Sequence, residues 1–295
     1  MTITTTAGKS VTLADYGLDW DVAKVPLYYQ HKGAECLSPY YSIVRQDNGL
    51  PLGTCTNDYG CAQNSEIFEC MKSICDTNDL IIVNAGTFKD GKKVFFQLQL
   101  PSEEGIGRDR VKKYIFALSS HDGKGSLAFG INNRVMSCQN LFNKFMDHAQ
   151  FKFRHIMSIT EKMQEMEKVV KEYYKQEKEI YRVFRTMEAT PINIGSDAVE
   201  DLITHLFNST NLPVAELSKR RLNQMDVLRA SVDAEMNNKG QTFWGLFNGV
   251  TYYANHLKNV PKRPTGREES IFMGDGYEKM NAAYDFISKY KIQLN

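Results

Sequence analysis

Polar residues that could do chemistry are concentrated between positions 120 and 140, where apolar segments flank them. His121 precedes Asp122, and a carboxylate can orient an imidazole that serves as a general base. Adjacent residues of a strand point to opposite faces, so this pairing requires a turn. Gly123 favours such a turn, and Asp122-Gly123 is then also explained by turn chemistry between two strands. Catalysis, ligand binding and a structural turn therefore all stay open for His121.

A second group of polar residues follows in the same stretch. Arg134 precedes a predicted helix start, where a bidentate guanidinium can make a phosphate-binding corner. Asn140 could cap that helix and present its amide to a ligand, and Arg154 would add a second cationic donor. Cys138 could act as a nucleophile with a histidine as base, but no oxyanion-hole motif accompanies it. The group favours anion binding over covalent catalysis.

Basic and aromatic residues are interleaved on the predicted strands that precede this stretch. Cations neutralise phosphates and aromatic rings stack on unpaired bases, so the pattern suits a single-stranded nucleic acid. Solvated basic faces and a buried aromatic core would produce the same pattern. If nucleic acid binds, we expect phosphate contacts from Lys92, Lys93, Arg110, Lys112, Lys113, Arg134 and Arg154, stacking by Phe95 or Tyr114, and His121 and Asn140 at the same site.

Several classes of function are disfavoured by motifs that the sequence lacks. It contains no G-x-x-x-x-G-K-[ST] loop, no G-x-G-x-x-G after a strand and no H-E-x-x-H. Its six cysteines include no C-x-x-C pair and no zinc-type spacing. We therefore expect no metal, no cofactor and no enzymatic activity. An enzyme that uses His121, Asp122 and Arg134 is the less favoured alternative.

Composition and charge are those of a globular protein. Hydrophobic residues make up 42% and charged residues 24% of the 295 positions. No apolar run is long enough to cross a membrane, and no signal peptide begins the chain. We therefore expect a soluble protein in the cytoplasm, without a membrane partner. The net charge is +1, but residues 1–80 are acidic and the remaining chain is basic.

The order of predicted elements indicates an α+β fold, with a mainly antiparallel sheet first and helices afterwards. Asp47-Asn48-Gly49 and Lys89-Asp90-Gly91 are turn sequences between apolar, strand-like segments. Apolar residues at helical spacing predict a packed helix over Gln63–Asp76. A 3-4 apolar spacing, interrupted at Glu177, predicts one long helix over 156–188. The later helices are predicted at Asp197–Asn208, Val214–Met236, Gln241–Lys258 and Tyr277–Tyr290, with a loop at Pro261–Arg267.

This organisation divides the chain into three parts. We expect a flexible N-terminus over 1–15, an α+β sheet domain over 16–155 and a helical region over 156–295 that packs on it.

Four segments carry a resemblance to a known family. The chain resembles the phage/plasmid-like proteins, the domain-of-unknown-function family numbered nine-three-two, over roughly residues 16–290. The resemblance rests on Trp20-Asp21-Val22, on Tyr59–Phe68, on the polar stretch from Ser120 to His155 and on Trp244–Tyr253. It implies a phage or plasmid context, and the family has no settled activity.

Two functions follow as expectations. The first is a phage or plasmid protein that binds single-stranded DNA, or RNA, in recombination, similar in layout to single-strand annealing proteins and without catalytic chemistry. Such a protein would form homo-oligomers in the host-cell cytoplasm, through the 156–188 helix or a sheet edge. The alternative is a protein-interaction factor in host takeover or anti-defence, with the acidic first eighty residues as its working surface.

Overall fold

The computed structural model describes residues 3–4, 10–123, 127–145, 159–207, 212–213 and 216–292. The strands are β1 (Ile3–Thr4), β2 (Ser10–Val11), β3 (Val22–His31), β4 (Ala34–Arg45), β5 (Pro51–Thr56), β6 (Ile81–Phe88), β7 (Lys93–Ile106), β8 (Asp109–Ser120), β9 (Ala128–Val135) and β10 (Leu141–Phe145). The helices are α1 (Asn64–Asn78), α2 (Ile159–Ala189), α3 (Asp197–Phe207), α4 (Lys219–Lys239), α5 (Phe243–Tyr252), α6 (Gly266–Met273) and α7 (Asp275–Ile292). A strand-rich first half and a helical second half confirm the predicted α+β class.

The larger sheets are built from strands joined by short turns. One has the order β3-β4-β5 and the other β10-β9-β8-β7-β6. Strand pairing is antiparallel between β3 and β4, β4 and β5, and β6 and β7. Gly49 (φ 72°) closes the β4–β5 turn, and Asp90 (φ 58°) and Gly91 (φ 95°) close the β6–β7 turn. Both predicted turns are therefore confirmed.

Two predicted helices form where the apolar spacing placed them. α1 begins one residue after Gln63, whose backbone N–H donates to Glu66 Oε2 at 3.0 Å, and the helix buries Phe68 and Met71. α2 runs without a break through Glu177; the first predicted residues, 156–158, lie outside the described part of the chain. Glu177 is buried, and its Oε1 lies 2.6 Å from Lys113 Nζ. A paired buried carboxylate thus replaces an apolar residue at this position of the helix.

The helices of the second half differ from prediction at three places. α4 begins at Lys219 rather than at Val214, because Ser218 caps it by accepting a hydrogen bond from Arg221 N at 3.4 Å. α6 begins at Gly266, inside the segment expected to be a loop. α5 is followed directly by a π-helical turn over Tyr253–Leu257, so the helix predicted to Lys258 changes its hydrogen bonding near its end.

The chain forms two compact units. Unit 1 contains residues 1–101, 114–131 and 145–174, and unit 2 contains residues 102–113, 132–144 and 175–295. Portions of β7, β8 and β9 belong to each unit. None of the described helices is both long and apolar enough to cross a membrane.

Candidate functional site

In unit 1, the turn after β8 holds His121 in a buried position. His121 Nε2 lies 2.8 Å from Asn64 Oδ1. Asn64 Nδ2 donates to the carbonyl oxygens of Leu18 and Trp20, both at 3.1 Å, so Oδ1 is left to accept from the imidazole. The His121 ring also meets Trp20 edge-on, at 5.3 Å between centroids. The imidazole therefore joins α1 to the segment before β3.

Ser120 and Asp122, on either side of His121, bind a lysine. Ser120 Oγ donates to Asp122 Oδ1 at 2.6 Å, and Lys93 Nζ lies 2.9 Å from Ser120 Oγ and 3.2 Å from Asp122 Oδ2. The Tyr59 hydroxyl reaches the Ser120 carbonyl at 3.4 Å, and burial raises the pKa of Tyr59 to about 12. This cluster fixes the turn to the start of β7.

Two glycines let the backbone of the turn approach the backbone of β5 closely. A Cβ at Gly53 would lie 2.2 Å from the Asp122 carbonyl oxygen, and one at Gly123 would lie 2.1 Å from that of Thr54. Gly123 also has φ 77°, in the left-handed region. The turn thus connects α1, β5 and β7. These contacts support the structural interpretation of His121 and Asp122.

The other predicted binding residues of unit 1 do not form a stacking surface. Phe95 is 7% exposed and stacks on Phe88 at 4.6 Å and on Phe116 at 5.8 Å. Tyr114 is 5% exposed. Because neither ring presents a face to solvent, neither can stack on a base in this structure. Lys92 is exposed, whereas Lys93 is held by Asp122.

In unit 2, three of the predicted phosphate contacts already have carboxylate partners. Arg110 Nη1 and Lys112 Nζ lie 3.6 and 4.0 Å from Glu103. Lys113 is buried between Glu104 at 3.1 Å and Glu177 at 2.6 Å. A phosphate would have to compete with these carboxylates, most strongly at the buried Lys113 and least at Arg110, whose side chain is 80% exposed.

The remaining predicted residues lie in unit 2 or outside the described part of the chain. Asn140 is buried, and its Nδ2 donates to the Asn248 carbonyl at 3.2 Å. Arg134 is half-buried, and its Nε has no hydrogen-bond partner among the described residues. Arg134 and Asn140 belong to unit 2 and His121 to unit 1, so no single unit contains the expected joint site. Arg154 lies outside the described residues.

One hollow in unit 2 is a groove that the sequence-based site prediction missed. It has two connected parts of about 420 and 700 Å³, which share Arg220, Gln224, Lys258 and Asn259 in their walls. The walls are formed by the end of α3, the start of α4, the π-helical turn with the residues after it, and the first half of α7. We call this hollow the basic groove, because its cations outnumber its carboxylates: Lys219, Arg220, Arg221, Lys258 and Lys279 against Asp275 and Glu278.

Two lysines at the floor of the groove share one carboxylate. Lys258 Nζ lies 3.0 Å and Lys279 Nζ 3.7 Å from Asp275. Lys279 Nζ also donates to the Leu206 carbonyl at 2.8 Å. Burial lowers the pKa of Lys279. The neighbouring Lys258 ammonium also lowers this pKa, whereas the Asp275 carboxylate raises it. Two ammonium groups thus lie beside one shared carboxylate at the floor of the groove.

Three consecutive cations stand at the rim of the groove, in the first turn of α4. Lys219, Arg220 and Arg221 have no carboxylate within ion-pair distance among the described residues, and the turn contains no acidic residue. Cations are unfavourable at a helix N-terminus, where the helix dipole is positive. A bound anion would relieve this repulsion. The sequence signal was the run Lys219-Arg220-Arg221, but only the fold shows the hollow beside it.

Comparison with known proteins gives a family and no function. The family model described as "Domain of unknown function (DUF932)" matches residues 51–273. No curated protein and no solved structure matches the chain.

Proposed function

The chain belongs to the DUF932 family, whose description states no activity, and we propose from its structure that it binds single-stranded nucleic acid in the basic groove. The observation that carries the proposal is the convergence of five cations from three parts of unit 2 on one hollow whose described wall residues include two carboxylates. Phosphate binding by such cations releases counterions and supplies affinity without a catalytic residue.

The walls of the groove favour unpaired nucleotides over a duplex. Val227 and Leu257, which line its smaller part, are 44% and 42% exposed. The amides of Asn223, Gln224 and Asn259 lie in the same wall. Apolar side chains can contact the faces of bases, and amides can form hydrogen bonds with base edges. In a duplex, stacking covers most of the base faces and pairing occupies most of the base edges. The cationic rim would hold the phosphates beside them.

The biological role within this proposal is recombination or strand annealing for a phage or plasmid, in the host-cell cytoplasm. A groove that holds one strand by its phosphates can present its bases to a complementary strand. This role needs binding and oligomerisation rather than bond cleavage. The basic groove has the chemistry for either DNA or RNA, since both carry the same phosphates.

Fluorescence anisotropy with labelled single-stranded oligonucleotides across a salt series tests the proposal. Each phosphate contact on a single strand contributes about 0.7 to the slope of log K against log salt. The Arg220→Ala/Arg221→Ala variant should therefore bind more weakly, with a slope shallower by about 1.4. Blunt duplex should bind more weakly than single strand to the unmodified protein.

A matched variant compares the groove with the site predicted from sequence. Arg110→Ala/Lys112→Ala removes the same number of charges, but both cations are paired with Glu103. We expect nearly unchanged affinity and slope for this control. Loss of binding in the control but not in the groove variant would move the site away from the groove. No binding at low salt would refute the function and favour the protein-interaction alternative.

A further inference from the structure

Exposed apolar side chains are concentrated on the hairpin of β3 and β4. Ten large hydrophobic side chains are exposed among the described residues, and five of them lie on these two strands. Tyr28 is 57%, Tyr29 53%, Leu37 60% and Tyr40 54% exposed. Val25 is the fifth. Such a concentration on one element marks an interaction surface.

The strand register explains why these side chains stay in solvent. β5 pairs with β4 only between Tyr40 and Val44, so the outer part of the hairpin is a two-stranded ribbon. Tyr28 lies opposite Leu37 and Tyr29 opposite Cys36, which places apolar residues on both faces of this ribbon. A two-stranded ribbon is only marginally stable in water, so added strands would stabilise it.

The outer edge of the ribbon is open for strand pairing. β3 is an end strand of its sheet, with β4 as its one neighbour among the described strands. Edge strands are commonly protected by lysine or proline, and here Lys24 and Pro26 protect the base of β3. Residues 27–31 contain neither. Their backbone N–H and C=O groups therefore offer a template for another strand.

We infer that β3 pairs with β3 of a second copy of this chain, antiparallel about a two-fold axis near Tyr28 and Tyr29. Such pairing is self-complementary, because each strand meets the same sequence in reverse and brings tyrosines together. Repulsion is small, since residues 27–37 carry one lysine and one glutamate. The inference is independent of the basic groove.

The available area fits a second copy. About half of a tyrosine surface of roughly 200 Å² is free at each of three positions, which gives about 300 Å² for each copy. With Leu37 and the backbone edge, two copies would bury about 1,000 Å², near the lower limit of specific interfaces. The alternative surface on α2 is less suitable, because its apolar positions Val170, Tyr173 and Phe184 are already buried within the chain.

Sedimentation velocity across the micromolar range tests the inference on the full chain. We expect a dimer for the unmodified protein. Tyr28→Lys/Tyr29→Lys places four lysines around the two-fold axis and should raise the dimer dissociation constant about tenfold or more. The control Leu50→Lys/Tyr174→Lys adds the same charge at other exposed positions and should remain dimeric. Circular dichroism verifies that both variants are folded.

Hydrogen exchange provides a second, position-specific measurement. Amides of residues 27–31 should exchange more slowly at high protein concentration than at low concentration, and this difference should vanish in the Tyr28→Lys/Tyr29→Lys variant. A monomer at every concentration, or a dimer that this variant leaves intact, would overturn the inference. The inference would also be overturned if the Tyr28→Lys/Tyr29→Lys variant bound oligonucleotide more weakly while its dimer mass stayed unchanged, because the tyrosines would then contact nucleic acid.

Discussion

Removal of one buried carboxylate, Asp109, should destabilise unit 2 severely. Asp109 starts β8 and accepts from Lys239 Nζ at 2.8 and 2.9 Å. It also accepts from Ser137 Oγ at 2.7 Å and from Trp244 Nε1 at 2.9 Å. Each side chain of the Lys239–Asp109 pair is 9% exposed. Asp109→Ala therefore leaves a buried ammonium, an indole N–H and a hydroxyl without their shared acceptor.

Most of the expected loss of stability comes from the Lys239 ammonium. Breaking a buried ion pair by removing one partner costs about 3–5 kcal/mol, because the remaining charge is uncompensated. The stranded Trp244 and Ser137 donors would each add about 1 kcal/mol if no water replaced the carboxylate. We expect a loss of about 3–5 kcal/mol, because water and movement of Lys239 offset part of the sum. Asp285→Ala is the control, since its 3.0 Å pair with Lys144 is exposed and should contribute less than about 1 kcal/mol.

Urea unfolding followed by Trp244 fluorescence measures the difference. The chain has two tryptophans, so a Trp20→Phe background makes Trp244 the single reporter in unit 2. A loss in Asp109→Ala as small as that in Asp285→Ala would refute the reasoning. It would show that water solvates Lys239 fully once the carboxylate is gone.

Stability against pH gives an independent check on the same carboxylate. Burial by itself would raise the pKa of Asp109, but hydrogen bonds from Lys239, Ser137 and Trp244 outweigh burial and lower it. A lowered pKa means that Asp109 contributes stability fully above its unfolded pKa of about 3.9 and loses it as pH falls through the folded value. Asp109→Asn should therefore show a shallower loss of stability below about pH 4.

Two further substitutions test the turn that follows β8. Gly53→Ala should destabilise unit 1 by about 2 kcal/mol or more in thermal unfolding, because its Cβ would lie 2.2 Å from the Asp122 carbonyl. Gly105→Ala should be nearly neutral, since nothing lies within 4 Å of its Cβ, and equal effects would contradict the close approach. His121→Ala should cost about 2 kcal/mol, because it removes buried packing and leaves Asn64 Oδ1 without its imidazole donor. A neutral His121→Ala would show that the imidazole is not a structural contact.

Local features of the fold could be predicted because their causes lie within a few residues. Positive φ at Gly49 and Gly91 follows from turn chemistry, and the period of apolar residues locates α1 and α2. The hairpin of β3 and β4 lacked such a signal. Its residues are exposed on both faces, so no alternation of apolar and polar side chains marks it.

The amino-acid sequence by itself determined the α+β class, the main turns, the two principal helices and the supply of cations. Only the tertiary structure decided which cations are available. Lys113 is held in a buried ion pair with Glu177. Arg220 and Lys258, in contrast, line an open groove although they are 38 positions apart in sequence. The physical reason is that a charge is available to a ligand only if the fold leaves it hydrated and unneutralised, and its neighbours in space come from distant segments.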